Sequence, residues 1–150
     1  MTSTPKSFFT TGENDIAYLS KNFERWFDLA DVKPKKATLM STVLPRPMTS
    51  REIIRELKPS ELTLTDVAYA MQKILNKTDL AIFYVRDKKN VLRAVLIHWD
   101  LGFGGWYVNV RGVESLLGWG VNDWVFSSNL LDRVAALEEW RGRVEKILKI

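Results

Sequence analysis

The chain has 150 residues, of which 46% are hydrophobic, and this share excludes an intrinsically disordered chain while allowing one substantial core. It contains no cysteine and a single histidine, which excludes disulfides, cysteine nucleophiles, thiolate metal sites and any zinc site built from several histidines. The net charge of +4 is spread evenly along the chain and is well short of the concentrated basic face of a strong nucleic-acid-binding protein.

The N-terminal residues 1–11 are rich in Thr and Ser, and we predict a flexible arm there, in front of a single domain at residues 12–150. Phe8 and Phe9 are the exception in this arm, because they either fold back onto the core or reach a partner. No apolar run approaches the ~18–20 residues of a transmembrane helix, and the N-terminus lacks the apolar segment of a secretory signal. We therefore expect a cytoplasmic protein with no membrane partner.

A helix is predicted first, over about residues 13–30, because apolar side chains recur there at helical spacing. They are Ile16, Leu19, Phe23, Trp26, Phe27 and Ala30. Residues 37–44 then resemble a short strand, which Pro45 and Pro47 end because neither proline can donate to a β-ladder.

Two shorter helices are predicted from capping boxes, in which a Thr and an acidic residue three positions later bond to each other's backbone. The pairs are Thr49 with Glu52 and Thr63 with Asp66. The helices that follow them are expected to end near residues 57 and 76.

From residue 80 the hydrophobic period changes to that of strands. We predict strands at 80–86, 91–99, 106–111 and, more briefly, 122–126, followed by an amphipathic helix at 129–150. The predicted fold class is therefore α+β. A three- to four-stranded antiparallel meander at about 80–126 is packed by N-terminal helices and by the long C-terminal amphipathic helix.

Residues 99–126 hold four of the six tryptophans and are also rich in glycine. One interpretation is that most of these rings fill the core between the sheet and the helices. The other is that some rings remain exposed and form a stacking surface for bases, sugars or a partner's side chains. We expect a few of them to face outward, because they outnumber what the interior can hold.

The residues Tyr107, Asn109 and Arg111 alternate with apolar positions, so they share one face of a strand. An aromatic ring, an amide and a guanidinium on one surface suit recognition of a peptide backbone, a carboxylate or a phosphate. The complete set of predicted partner-binding residues is Tyr107, Asn109, Arg111, Trp119, Asp123 and Trp124.

No catalytic residue, metal ligand or cofactor site is predicted. His98 and Asp100 share a strand face, but side chains two residues apart on a strand diverge too far for a nucleophile–base–acid set with a serine. The glycines around residues 102–105 are predicted to form a turn, since the strand–loop–helix context of a phosphate loop is absent.

These observations favour a non-catalytic binding protein whose partner is a macromolecule, most simply another protein, bound through an aromatic and polar sheet surface. The alternatives are a single-stranded nucleic-acid-binding protein and a small enzyme that uses Asp100, Glu114 and Asp123 as carboxylates. A homodimer through a sheet edge is a further possibility, with the Tyr107 strand or its neighbour as the pairing element.

Overall fold

The computed structural model describes residues 7–128, and these form six strands and three short helices. In chain order the elements are β1 (Ile16–Leu19), α1 (Lys21–Trp26), β2 (Leu39–Val43), α2 (Ser50–Glu56), α3 (Leu64–Lys73), β3 (Ala81–Arg86), β4 (Leu92–Asp100), β5 (Gly105–Gly112) and β6 (Trp124–Ser128). None of these helices has the length and hydrophobicity to span a bilayer.

All six strands belong to one mixed sheet with the order β1-β5-β4-β3-β6-β2. Strands β3, β4 and β5 form an antiparallel meander, whereas β1 is parallel to β5, β6 is parallel to β3, and β2 is antiparallel to β6. The predicted three- to four-stranded antiparallel sheet is therefore wrong. The meander is only the centre of the sheet, because β6 crosses over to the far side of β3 and two early segments of the chain add the edges.

The predicted helix at 13–30 is also wrong, since this segment forms strand β1 and then the short helix α1. Asn14 and Asp15 have φ values of 53° and 61°, in the left-handed region that a helix cannot contain. Ser20 then caps α1, because its side chain accepts a hydrogen bond from the backbone N–H of Phe23. The apolar residues recur at helical spacing because the buried positions of β1 and those of α1 happen to lie at helical intervals along the chain.

Both capping boxes are confirmed. The side chains of Thr49 and Glu52 bond reciprocally to each other's backbone at the start of α2, and those of Thr63 and Asp66 do so at the start of α3. The predicted C-terminal helix at 129–150 lies outside the described residues.

The sheet is packed on both faces. On the α1/α3 face, the larger hydrophobic cluster contains Phe8 and Phe9, so these two rings fold back onto the core. On the α2 face, a smaller cluster joins Ile53 of α2 to side chains of β3, β4 and β6. The division into an arm and a single domain stays a prediction.

Candidate functional site

Within residues 7–128, the α2 face of the sheet is covered only in part. Helix α2 and residues 113–123, which we call the crossover loop because they connect the parallel strands β5 and β6, pack over β3, β4 and β6. Strand β5 and its neighbour β1 lie to one side of this cover. The half-exposed side chains of the candidate site lie in this uncovered part of the α2 face.

Three rings form a continuous stack across β1, β5 and β4, and we call Tyr18, Tyr107 and His98 the ring stack. The ring centroids of Tyr18 and Tyr107 are 4.2 Å apart with an interplanar angle of 20°. Those of Tyr107 and His98 are 5.0 Å apart with an angle of 22°. The side chain of Tyr18 at the open end is 39% exposed, while the other two rings are half-buried.

Backbone register brings these three rings together. Tyr107 pairs directly with His98 in the antiparallel β4–β5 ladder. A shift in the β1 register between Ile16 and Tyr18 then places Tyr18 opposite Tyr107. Without that shift, Tyr18 would share the α1/α3 face with Ile16, because residues two apart on a strand point the same way.

The close approach of β1 depends on Gly105 at the start of β5. A Cβ at this position would lie 2.7 Å from the Cβ of Ala17 and 2.8 Å from the carbonyl oxygen of Asp15. The N–H of Trp106 donates to that same carbonyl oxygen at 2.7 Å. Gly105 therefore allows the backbone contact that positions Tyr18 beside Tyr107.

The environment of Tyr107 disfavours its ionised form. Partial burial raises the pKa of the Tyr107 phenol, and the neighbouring Tyr18 hydroxyl and Asp100 carboxylate raise it further. Tyr107 is therefore a neutral phenol at physiological pH, able both to donate and to accept a hydrogen bond.

The hairpin tip, residues 101–104 between β4 and β5, adjoins the ring stack and exposes two large apolar side chains. Leu101 is 88% exposed and Phe103 is 78% exposed. Asp100 fixes their backbone, because its Oδ1 accepts from the N–H groups of Gly102 at 2.8 Å and Phe103 at 3.1 Å. The turn closes with the N–H of Gly104 donating to the Asp100 carbonyl at 2.8 Å, and Gly104 adopts a φ of +64° that favours glycine.

Arg111 lies further along β5, where its guanidinium carbon is 4.4 Å from the ring centroid of Trp119. Trp119 is 3% exposed, and its indole N–H donates to Ser50 Oγ at 3.0 Å, where the Tyr84 hydroxyl also donates at 3.0 Å. The ring of Trp119 is therefore part of the core under Arg111, with its face covered by the guanidinium.

Asp123 follows Trp119 in the crossover loop. Partial burial raises the pKa of its carboxyl group, against the opposing effects of the Gly120 N–H and the Arg111 charge. Its Oδ2 accepts from the N–H of Gly120 at 2.8 Å, and this bond holds the turn that leads into β6.

The structure brings together some of the residues predicted from the sequence. Tyr107, Asn109 and Arg111 stand in one row on the α2 face, as their alternation predicts, and Arg111 joins them to Trp119 and Asp123. Trp124 does not join this group. Its side chain packs against the cluster on the α1/α3 face, on the other side of the sheet.

The rings of residues 99–126 divide between core and surface. Trp106, Trp119 and Phe126 are buried, Trp99, Tyr107 and Trp124 are half-buried, and Phe103 is exposed. The expectation that a few rings face outward therefore holds for Phe103 and in part for Tyr107. Sequence reasoning assigned neither Phe103 nor Tyr18 to the site, although a large apolar side chain between two glycines of a turn was a visible signal for Phe103.

The structure does not gather the three carboxylates of the enzyme hypothesis. Asp100 stands at one end of β5, opposite Gly105, whereas Glu114 follows the other end. Eight residues of strand separate them, which corresponds to about 25 Å. Within residues 7–128, no group of three acidic or histidine side chains could hold a metal ion.

Neither a protein-family model, nor a curated protein, nor a solved structure gives a significant match to this chain.

Proposed function

We propose that this chain is a non-catalytic binding protein that docks a partner protein on the hairpin tip and the adjoining ring stack. The observation that carries the proposal is the exposure of Leu101 and Phe103, at 88% and 78%, on a turn that is held by hydrogen bonds. Large apolar side chains on a fixed backbone are the usual anchors of protein interfaces.

The rigidity of the tip supports this proposal. Three hydrogen bonds to Asp100 fix the backbone of residues 102–104 before any partner arrives. A surface that is already ordered loses less conformational entropy on binding, and this favours affinity. The ring stack beside the tip adds aromatic area with polar edges, which is a typical composition for the centre of an interface.

The local charge favours a protein over a nucleic acid. Asp100 is a charged group next to the ring stack, and its carboxylate raises the pKa of Tyr107. A polyanion approaching the stack would meet this negative charge, whereas a peptide surface would not be repelled. Arg111, the cation on the same strand, lies over Trp119.

The test is affinity capture from the native cell with the wild-type chain, the double variant Leu101→Ser/Phe103→Ser and the control Leu116→Ser. Leu116 is 89% exposed on the crossover loop, so its change removes a large exposed apolar side chain outside the proposed site. We expect a protein that is captured by the wild type and the control but at least about tenfold less by the double variant. Equal capture by all three would contradict the proposal.

Single-stranded nucleic acid is the second candidate, because three stacked rings with one open end resemble a surface on which bases stack. The same capture repeated after nuclease treatment distinguishes it, since nuclease would then release the bound material. Binding of a labelled oligonucleotide should also fall steeply with salt if this candidate is correct. The cytoplasm remains the location that we expect from the sequence.

A further inference from the structure

Strand β2 is one edge of the sheet, and the direction of its backbone groups follows from one hydrogen bond. The N–H of Leu44 donates to the carbonyl oxygen of Asp123 at 2.9 Å, toward β6. In an antiparallel ladder, the N–H and C=O of one residue point to the same side, and successive residues alternate. The N–H and C=O groups of Leu39, Ser41 and Val43 therefore point away from β6.

Within residues 7–128, no other strand pairs with this outer side of β2. Ser41 is exposed and Val43 is 39% exposed. Natural sheet edges are commonly protected by a charged side chain, a proline or a bulge within the edge strand. Strand β2 has the sequence LMSTV and a regular register with β6, so it has none of these devices.

The surface beside this edge is apolar on the α1/α3 face. A cavity of about 90 Å³ borders Ser41 and is lined by the apolar side chains of Ile74, Leu75, Trp124 and Phe126 and by the polar residues Asn76 and Asp79. Ile74 is itself 39% exposed. An added strand would therefore find backbone partners along the edge and apolar side chains next to it, which is the combination that strand addition uses.

We propose that the occupant is a second copy of this chain, with the two β2 strands pairing antiparallel about a two-fold axis at Ser41. In this register Ser41 faces Ser41 of the second copy, and Leu39 faces Val43. The three outward residues of each copy then donate and accept in turn, which gives about six backbone hydrogen bonds and a continuous sheet.

The sequence of β2 makes this register self-compatible. The strand carries no charge, so the paired strand residues themselves bring no like charges together. Both outer pairs of side chains join Leu39 to Val43, and the central pair joins two small serines. The arrangement is isologous and closes on itself, so it yields a dimer and not an extended fibre.

The first experiment measures the mass of the full chain in solution across a range of concentrations. We expect a monomer–dimer equilibrium for the wild type and for Ser41→Ala, which keeps the outward N–H. Ser41→Pro removes that N–H and both symmetric hydrogen bonds at the axis, so it should raise the dimer dissociation constant at least about tenfold. A dimer that is unaffected by Ser41→Pro would place the interface elsewhere and overturn the proposal.

The second experiment uses the absence of cysteine from the natural chain. Opposite residues of a hydrogen-bonded antiparallel pair have Cα atoms about 5.5 Å apart, which is within the range for a disulfide. The variant Ser41→Cys should therefore form a covalent dimer on mild oxidation, whereas Thr11→Cys, at an exposed position outside β2, should not. Equal cross-linking of the two variants would count against the register.

Hydrogen exchange separates the remaining occupants of the edge. If the second copy covers β2, the Ser41 and Val43 amides become protected as concentration rises. Protection that is the same at all concentrations in a monomeric chain would mean that the chain covers its own edge, and the dimer proposal would fall. The tip variant Leu101→Ser/Phe103→Ser should leave the dimer unchanged, so failure of this proposal is distinguishable from failure of the proposed function.

Discussion

The buried hydroxyl of Tyr84 makes the stability of the fold sensitive to alkaline pH. Tyr84 is 1% exposed, and its burial raises the pKa of the phenol from 10.0 to about 12, with smaller opposing effects from Ser50 and Trp119. In the unfolded chain the phenol ionises near pH 10, while the folded chain still holds the proton. The contribution of the neutral Tyr84 phenol to the unfolding free energy is therefore complete below about pH 10, and it is lost progressively as the pH rises toward 12.

The size of this loss follows from the separation of the two pKa values. A difference of about 2 pH units corresponds to about 2.7 kcal/mol of unfolding free energy. The matched variant Tyr84→Phe keeps the ring and removes the ionisable group. At neutral pH the unfolding free energy of this variant should be about 1 kcal/mol lower, because the hydroxyl that donates to Ser50 Oγ is gone. The Ser50 oxygen keeps one partner, because the indole N–H of Trp119 still donates to it.

Urea unfolding followed by tryptophan fluorescence, from pH 8 to pH 12, measures both effects. Lysines and the other tyrosines also titrate in this range, but they do so in both proteins, so the difference between wild type and Tyr84→Phe isolates Tyr84. We expect the wild type to begin about 1 kcal/mol more stable, to fall to the stability of the variant between about pH 10 and pH 11, and to be about 1 kcal/mol less stable than the variant at pH 12. Parallel curves for the two proteins would refute the reasoning.

Two further predictions concern single buried groups. Asp87 accepts hydrogen bonds from the N–H groups of Lys89 and Val91 and from Arg93 Nε, and although burial raises its pKa, these bonds hold the pKa below its usual value. We expect Asp87→Asn to lower the unfolding free energy by about 2 kcal/mol at pH 7, and by less as the pH falls through the pKa of the carboxyl. Equal losses at pH 7 and pH 3 in chemical denaturation would contradict this account. Among residues 7–128, the buried hydroxyl of Thr42 has no hydrogen-bond partner, so Thr42→Val should raise the unfolding free energy by about 1 kcal/mol. A loss of stability in the same assay would show that the hydroxyl does have a partner.

Local signals in the sequence were sufficient for several elements. The capping boxes at Thr49 and Thr63 locate α2 and α3, because a cap depends only on residues three positions apart. The alternation of residues 106–111 correctly separates Tyr107, Asn109 and Arg111 from the buried face of β5. Such patterns report on one strand or one helix at a time.

The errors concern contacts between distant segments. The parallel pairing of β1 with β5 and of β6 with β3 leaves no trace in the hydrophobic period, so the sheet was predicted with too few strands. For the same reason, Tyr18 could not be assigned to the ring stack. Trp119 and Trp124 were assigned to one site although the structure places them on opposite faces, because composition alone does not show which rings the core takes.

The pairing of β1 with β5 also has a consequence for how the chain is made. Ile16 pairs with Trp106, 90 residues later, so β1 emerges from the ribosome long before its partner strand exists. At about 5–20 residues per second, synthesis of the intervening chain takes on the order of 5–20 s. During that interval the apolar side chains of β1 and α1 have no sheet to cover. We therefore expect β1 and α1 to reach their native positions only after the hairpin of β4 and β5 has left the ribosome and formed.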